Sequence, residues 1–213
     1  MSRVGAVETT AKKKSLHASQ RDTPRVKRKR RAFKHHVAAR EVSRFKFLDE
    51  SSVHLSFMRL YGRAAPGERV VDSTPQLAGS QTTTLAVIGL AGISAPLVLS
   101  GSVNGMVFYS YLQQCVVQTL QPGDILFMDN LTAHKVTGIE ELIRAHGAEL
   151  IYLPPYSPDL NPIELAWSKI KTILRRLKAR TFPDLMEALK QALLAITPQD
   201  IQGWFAHCGY AIN

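Results

Sequence analysis

The reading turns on "YLPPYSPDLNPIELAWSKIK", residues 152–171. Four prolines fall within residues 154–162, and a helical pattern begins immediately behind them. Proline fixes its own φ and bars the residue before it from helical geometry, so the loop is stiff up to Asn161. Asn161 suits an N-cap, Pro162 the first helical position, and Glu164 the third. That spacing is also the one a capping box uses, with Glu164 serving only the helix start. Behind it, Ile163, Trp167, Ile170, Leu174 and Leu177 form an apolar stripe, and the helix is expected to run from Pro162 to Ala179. At about 100° per residue, Lys171 and Arg175 fall close to the direction of Glu164, and Lys178 follows on the same stripe. The stretch from Lys169 to Arg180 holds six basic residues and no acid. A solvated basic face is the plain reading of that rail; phosphate contact is the functional one.

Working back toward the N-terminus, "LIYLP" and "ILFMDN" are short and nearly all apolar, as strands buried on both faces are. "KVTGIEELIRAHGAE" lies between them and reads as a helix closing at Gly147. "NGMVFYSYLQQCVVQTL" spaces Val107, Tyr111, Leu112, Cys115 and Val116 as one helix does, and "QPGD" ends it. "TTTLAVIGLAG" and "SAPLVLSG" form a hairpin around a glycine-containing turn, and "RFKFLDE" alternates as a strand. After the proline loop, "TFPDLMEALKQALLAI" and "TPQDIQGWFAHCGY" are two more helices, each opened by Thr and Pro. Antiparallel strands first and βαβ units afterwards imply an α/β mixed sheet flanked by helices.

The net charge is +10. Residues 1–40 hold 13 Lys or Arg against two acids, and residues 41–213 hold 14 against 15. The basicity therefore belongs to the leading segment, residues 1–43, which shows little apolar periodicity and reads as a tail and linker. Its cluster Lys27, Arg28, Lys29, Arg30 and Arg31 is read both as a solvated tail and as a phosphate-attracting patch. Cys115 and Cys208 form no CxxC pair, which points away from a disulfide framework or a cysteine zinc site and toward a reducing compartment. No apolar stretch is long enough to span a bilayer, and no signal peptide opens the chain.

Three acids stand where chemistry would use them. Asp49 is expected to end the first strand, Asp129 to end "ILFMD", and Glu164 to lie one turn into the helix. Singly, each is an ordinary strand-end or cap residue. Together on adjacent elements they would repel one another and raise their own pKa values. Two divalent cations would resolve that repulsion, activate a water and stabilise a departing oxygen. All-oxygen donors favour Mg²⁺ or Mn²⁺ over zinc.

"FLDESSVHLSFMRLYGRAAPGERV", "PGDILFMDNLTAHK" and "YLPPYSPDLNPIELAWSKIK" resemble the three motif blocks of the DDE transposases of bacterial insertion sequences, in the mariner-like superfamily. Thirty-four residues separate Asp129 from Glu164, the separation typical of that superfamily's Asp–Asp–Glu members, and the resemblance covers residues 44–210. It implies a ribonuclease H-like fold with a mixed five-stranded sheet, and two metal ions held by Asp49, Asp129 and Glu164. It also implies water attack at the transposon end, followed by attack of the freed 3′-hydroxyl on target DNA, usually at a TA dinucleotide. The expected partners are transposon-end and target DNA, with a homo-oligomer assembled on the DNA. The expected location is the bacterial cytoplasm, at the nucleoid. Asn130 and His134 match the motif as supporting residues; the residues themselves give His134 no definite role, with a hydrogen-bonding scaffold preferred over a ligand.

The chain departs from the family pattern in two places. Relatives usually carry a longer N-terminal helix-turn-helix region, of which only a remnant is expected in residues 1–43; a separately encoded or frameshifted half as partner, a truncated copy and a misassigned start are the alternatives. "AGSQTTT" stands where relatives often show a His-Trp-Lys run. The reading is therefore the catalytic domain of a transposase, a metal-dependent DNA endonuclease and strand transferase. The rival reading is a catalytically silent DNA-binding or dimerising fragment that regulates a full-length enzyme.

Overall fold

The computed structural model describes residues 18–59, 61–73, 81–130 and 136–211. Five strands, β1 (Phe45–Val53), β2 (Thr82–Gly89), β3 (Gly92–Ser100), β4 (Ile125–Met128) and β5 (Glu149–Tyr152), form one sheet in the order β3-β2-β1-β4-β5. The first three pair antiparallel and the last two join β1 in parallel. This is the mixed five-stranded sheet expected from the sequence. The helices are α1 (Pro24–Ala38), α2 (Gly105–Tyr111), α3 (Ile139–Ala145), α4 (Pro162–Leu177), α5 (Phe182–Leu194) and α6 (Pro198–His207).

Side chains of a strand alternate between the two faces of its sheet, and both faces here are covered. Phe45, Phe47, Ile125 and Phe127 share a buried cluster with residues of α1, α4, α5 and α6. Leu48, Leu126 and Met128 join the opposite cluster with α2 and α3. Aromatic rings tie the first cluster together: Phe47 stacks on Phe127 with centroids 4.6 Å apart and meets Phe205 edge-on at 5.5 Å.

Three sequence expectations are corrected here. Residues 24–38, read as part of a tail, form α1, which buries Val26, Arg30, Phe33 and Val37. Those positions share one helical face, but a single face with three apolar residues among so many charges leaves almost no periodic signal. The single helix expected before "QPGD" instead relaxes after Tyr111 into a wider π turn at Leu112–Val116 and a 3₁₀ turn at Val117–Thr119. The third correction is at the end of α4, where Lys178 takes a left-handed conformation, φ 52°, and closes the helix. Leu177 is accordingly exposed rather than part of the buried stripe.

Replacing Phe47 by Ala removes a fully buried ring from the aromatic cluster. The expected cost is about 3–5 kcal/mol, read as a lower urea midpoint with little change in slope.

Candidate active site

The sheet register sets the first two acids side by side. β1 and β4 run parallel with Phe45 opposite Ile125 and Phe47 opposite Phe127. Two residues farther along each segment come Asp49 and Asp129, on the same face as those aromatics. Asp129 directly follows β4, as expected. Asp49 does not end its strand: it sits in the middle of β1, opposite Ala86, because β2 continues the ladder to Val53. The pairing with β4 stops at Phe47, however, so Asp49 lies just past the end of the parallel ladder.

Glu164 reaches the same place through the proline loop. Leu153 N–H donates to Met128 O at 2.8 Å, which keeps the chain beside β4 as it leaves the sheet. The loop then turns through Tyr156, φ 54°, and a 3₁₀ turn at Pro158–Leu160. Tyr210 Oη donates to Leu160 O at 2.6 Å and fastens that turn to the chain's C-terminal segment. Asn161 precedes α4, but its side chain does not cap the helix. The reciprocal capping box that would have made Glu164 a mere cap is therefore not formed. Asn161 is only 3% exposed, and its Nδ2 points at Asp49 Oδ2, 3.4 Å away, in a long hydrogen bond. Its Oδ1 is buried with no hydrogen-bond partner among the described residues.

Asp49, Asp129, Asn161 and Glu164 line one cavity of about 570 Å³, walled by Leu153 to Pro158 and shared with Asn130. Asp49 is 7% exposed. Burial pushes its carboxyl well above the usual range, and the charges of Glu164 and Asp129 push it further, against a hydrogen bond from Glu50 N–H. Glu164 stands at the exposed rim, yet loss of water around its carboxyl raises its pKa too; Lys171 opposes the rise and Asp129 adds to it. Glu164 and Asp129 thus each add repulsion to a neighbouring acid, only partly offset by Lys171 and by the donors to Asp49. Among the described residues, no three His, Cys, Asp or Glu already stand in the arrangement that encloses an ion. The donor set nonetheless fits a hard cation: oxygen atoms alone, an excess of negative charge, and a buried amide oxygen without a donor.

The basic residues are less uniform than the sequence suggests. On α1, Lys27, Arg28, Lys29 and Arg31 are exposed. Arg30 faces inward instead, 9% exposed, and forms a two-pronged pair with Asp159 at 3.0 and 2.6 Å. Asp159 would be raised by its partial burial, but the Arg30 hydrogen bond and the charges of Arg30 and Arg21 hold it below the usual range. Along α4, Arg175 lies over the Phe57 ring at 4.1 Å, and Lys169 pairs with Asp200 on α6. Lys178 has left the stripe and pairs with Asp72, while Arg180 donates to the carbonyls of Leu55 and Ser73. Exposed Arg28, Lys29 and Arg31 flank a second groove, of about 930 Å³, which meets the carboxylate cavity at Asn130, Pro154 and Pro155. His134 lies outside the described residues, and so do residues 78–80 of "AGSQTTT". Asn161 and the Arg30–Asp159 pair were missed in the sequence. The one available signal was an arginine spaced i+4 from Val26 and i−3 from Phe33, on the face of a helix that buries both.

Residues 44–187 match the family described as DDE superfamily endonuclease. No curated protein matches the chain. Its fold is similar to that of the Mos1 transposase paired-end complex with left transposon end, at a TM-score of 0.72 and 15% identity, over 96% of this chain and 64% of that one. The Mos1 strand transfer complex gives 0.70 and 16% identity over 96% and 63%, and the catalytic domain of Mos1 mariner transposase 0.60 and 15% over 93% and 98%. The chain thus spans slightly less than two thirds of the longer of these structures. The shared architecture is the ribonuclease H-like fold. Among the described residues, no helix is long and apolar enough to cross a membrane.

Because the folded state raises the Asp49 pKa, it binds that proton more tightly than the unfolded chain does. The stability Asp49 contributes is therefore lost as pH rises from the ordinary carboxylate range through its folded pKa. In EDTA at pH 7, Asp49→Asn should melt higher than the wild type. The gap should close as pH is lowered through the folded pKa. Thermal unfolding across a pH series checks both the sign and the closure.

Proposed function

The chain belongs to the DDE superfamily of endonucleases, and we propose that it acts as the catalytic domain of an insertion-sequence transposase. In this reading it cuts DNA at a transposon end and joins the freed 3′-hydroxyl to target DNA. The observation that carries the proposal is the convergence of Asp49, Asp129 and Glu164 on one cavity from two strands and a helix. Those three carboxylates are the groups that would hold two Mg²⁺ or Mn²⁺ ions. Bound there, the ions would lower the pKa of an attacking water and neutralise charge on the departing oxygen.

The chain's own residues supply position and charge. The parallel pairing of Phe47 with Phe127 brings Asp49 and Asp129 out at the same end of the sheet, which limits how far those two side chains would have to move on binding. Glu164 sits on the adjoining helix at the rim, where a scissile phosphate can approach. Lys171, close enough to lower the Glu164 pKa, is suited to a phosphate oxygen beside it. The groove flanked by Arg28, Lys29 and Arg31 offers basic side chains along one wall and Pro154 and Pro155 along another, and it shares Asn130, Leu153, Pro154 and Pro155 with the carboxylate cavity. A DNA strand following it would be held by its phosphates with little reading of base edges. Transposon-end DNA and target DNA are the proposed partners, bound by an oligomer of the chain.

Asp129→Asn keeps the shape of the side chain but removes its charge. Nicking of a transposon-end duplex in Mn²⁺ should fall at least about a thousandfold, a loss near 4 kcal/mol in the barrier, with the melting temperature preserved. Nicking at the wild-type rate removes Asp129 from the mechanism. Millimolar Mn²⁺ should also stabilise the wild type, by about 2.7 kcal/mol at a hundred times its dissociation constant, and stabilise Glu164→Gln far less. Equal shifts in the two proteins would leave Glu164 with no part in cation binding.

Salt titration of DNA binding tests the basic residues. Replacing Lys171 and Arg175 with Ala should flatten the log–log slope by up to about two units and weaken all sequences alike. Lys178→Ala should change it least, because Asp72 already neutralises that charge.

A further inference from the structure

We propose that the Arg30–Asp159 ion pair is a positioning element of the carboxylate cavity, through which α1 holds the wall that carries Asn161 and Glu164. Arg30 comes from the basic cluster, but it does not share the cluster's role. Its neighbours Lys29 and Arg31 are exposed, whereas its guanidinium is directed inward. There it grips both oxygens of Asp159 with bonds of 3.0 and 2.6 Å, and Arg21 adds a third at 3.0 Å. A two-pronged arginine–carboxylate pair fixes orientation as well as distance, and the Arg30 side chain, largely buried beside a half-buried Asp159, has little water to turn to.

What Asp159 belongs to gives the pair its consequence. It is the middle residue of the 3₁₀ turn Pro158–Leu160, two residues before Asn161 and five before Glu164. Asn161 N–H donates to Pro158 O at 3.0 Å, and Glu164 N–H donates to Asn161 O at 3.2 Å. The Asn161 side chain in turn reaches Asp49. A shift of the turn therefore moves the Asn161 amide and the first turn of α4 together. The other fastening of the turn, Tyr210 Oη on Leu160 O, acts on the next residue along. The turn is thus held from both ends of the described chain. α1 itself lies ahead of the 44–187 family match, so part of what shapes the cavity stands outside the family's own segment. The catalytic consequence rests on the reading of Asp49 and Glu164 as cation ligands; the mechanical link between α1 and the loop does not.

Arg30→Met in the full chain tests this with three readouts. Hydrogen exchange without metal should rise about tenfold or more in residues 156–164, with α5 and β2 unchanged, as expected for a local loosening. Mn²⁺ affinity should fall about fivefold or more, a modest coupling between separate sites. On transposon-end DNA, kcat should fall while KM stays close to the wild type. Arg30→Lys, which keeps the charge without the two-pronged grip, should lie between the two. Unchanged exchange in residues 156–164 would overturn the proposal, and a rise in KM alone would make Arg30 a DNA contact instead. Should Arg30→Met loosen the whole molecule, Asp159→Asn is decisive: local loosening there supports positioning, and global loosening reduces the pair to a stability element. A wild type that neither binds Mn²⁺ nor cuts DNA would defeat the transposase reading, and the exchange data would still decide the clamp.

Discussion

A carboxylate set at the end of an aromatic core is costly to ionise, and Asp49 imposes that cost on everything around it. The residues leading to it, Phe45 and Phe47, are wholly buried, and the strand beside it ends in Phe127 and Met128, equally buried. The same alternation that packs those rings directs the aspartates to the α4 side of the sheet. Core and cavity are therefore one construction: the rings exclude water from below, and the acids meet it only from the open end. The low dielectric that makes clustered charge there unfavourable is also what would strengthen the hold of those carboxylates on a cation. Asn161 fits the same logic, since it gives Asp49 a donor where water has little access.

The second organising relation is between the proline loop and the chain's two flanks. A loop of four prolines has few internal hydrogen bonds of its own, so its shape is imposed partly from outside. Asp159 is gripped by Arg30 and Leu160 by Tyr210, while Leu153 is tied to the end of β4. Stiffness within the loop and fixation at its margins act together, and the helix that follows inherits its direction from both. On the far end of that helix, Lys178 and Arg180 make the same kind of tie to the 54–73 segment.

Much of this was legible in the sequence because it is local. The apolar run of β4 followed by Asp129, the hairpin of β2 and β3, and the start of α4 at Pro162 each announce themselves within a few residues. What was not legible depends on partners far along the chain. Asp49 lies in mid-strand only because β2 extends beyond it, which nothing in "RFKFLDE" discloses. Arg30 is buried only because Asp159 meets it from 129 residues away, so α1 looked like a charged tail. Lys178 leaves the rail because the helix stops two residues early in a left-handed turn, and its charge goes to Asp72. The resemblance to mariner-like transposases located the acids, while the geometry separated the lysines and arginines into those facing solvent and those engaged by the protein.

The parallel register of β1 and β4 also limits how this gene can vary in length. Inserting or deleting one codon between those for Phe45 and Asp49 would turn Asp49 to the α2–α3 side of the sheet, away from Glu164. The same slip would carry core side chains such as Phe47 or Leu48 to the wrong face, so packing and the carboxylate cavity would suffer together. An equal change in the 54–73 segment would leave the sheet register alone. The reading frame through this short strand is thus under a constraint of parity as well as of composition. A lineage of related genes should accumulate its length differences between the strands and spare the few codons that count out the distance from Phe45 to Asp49.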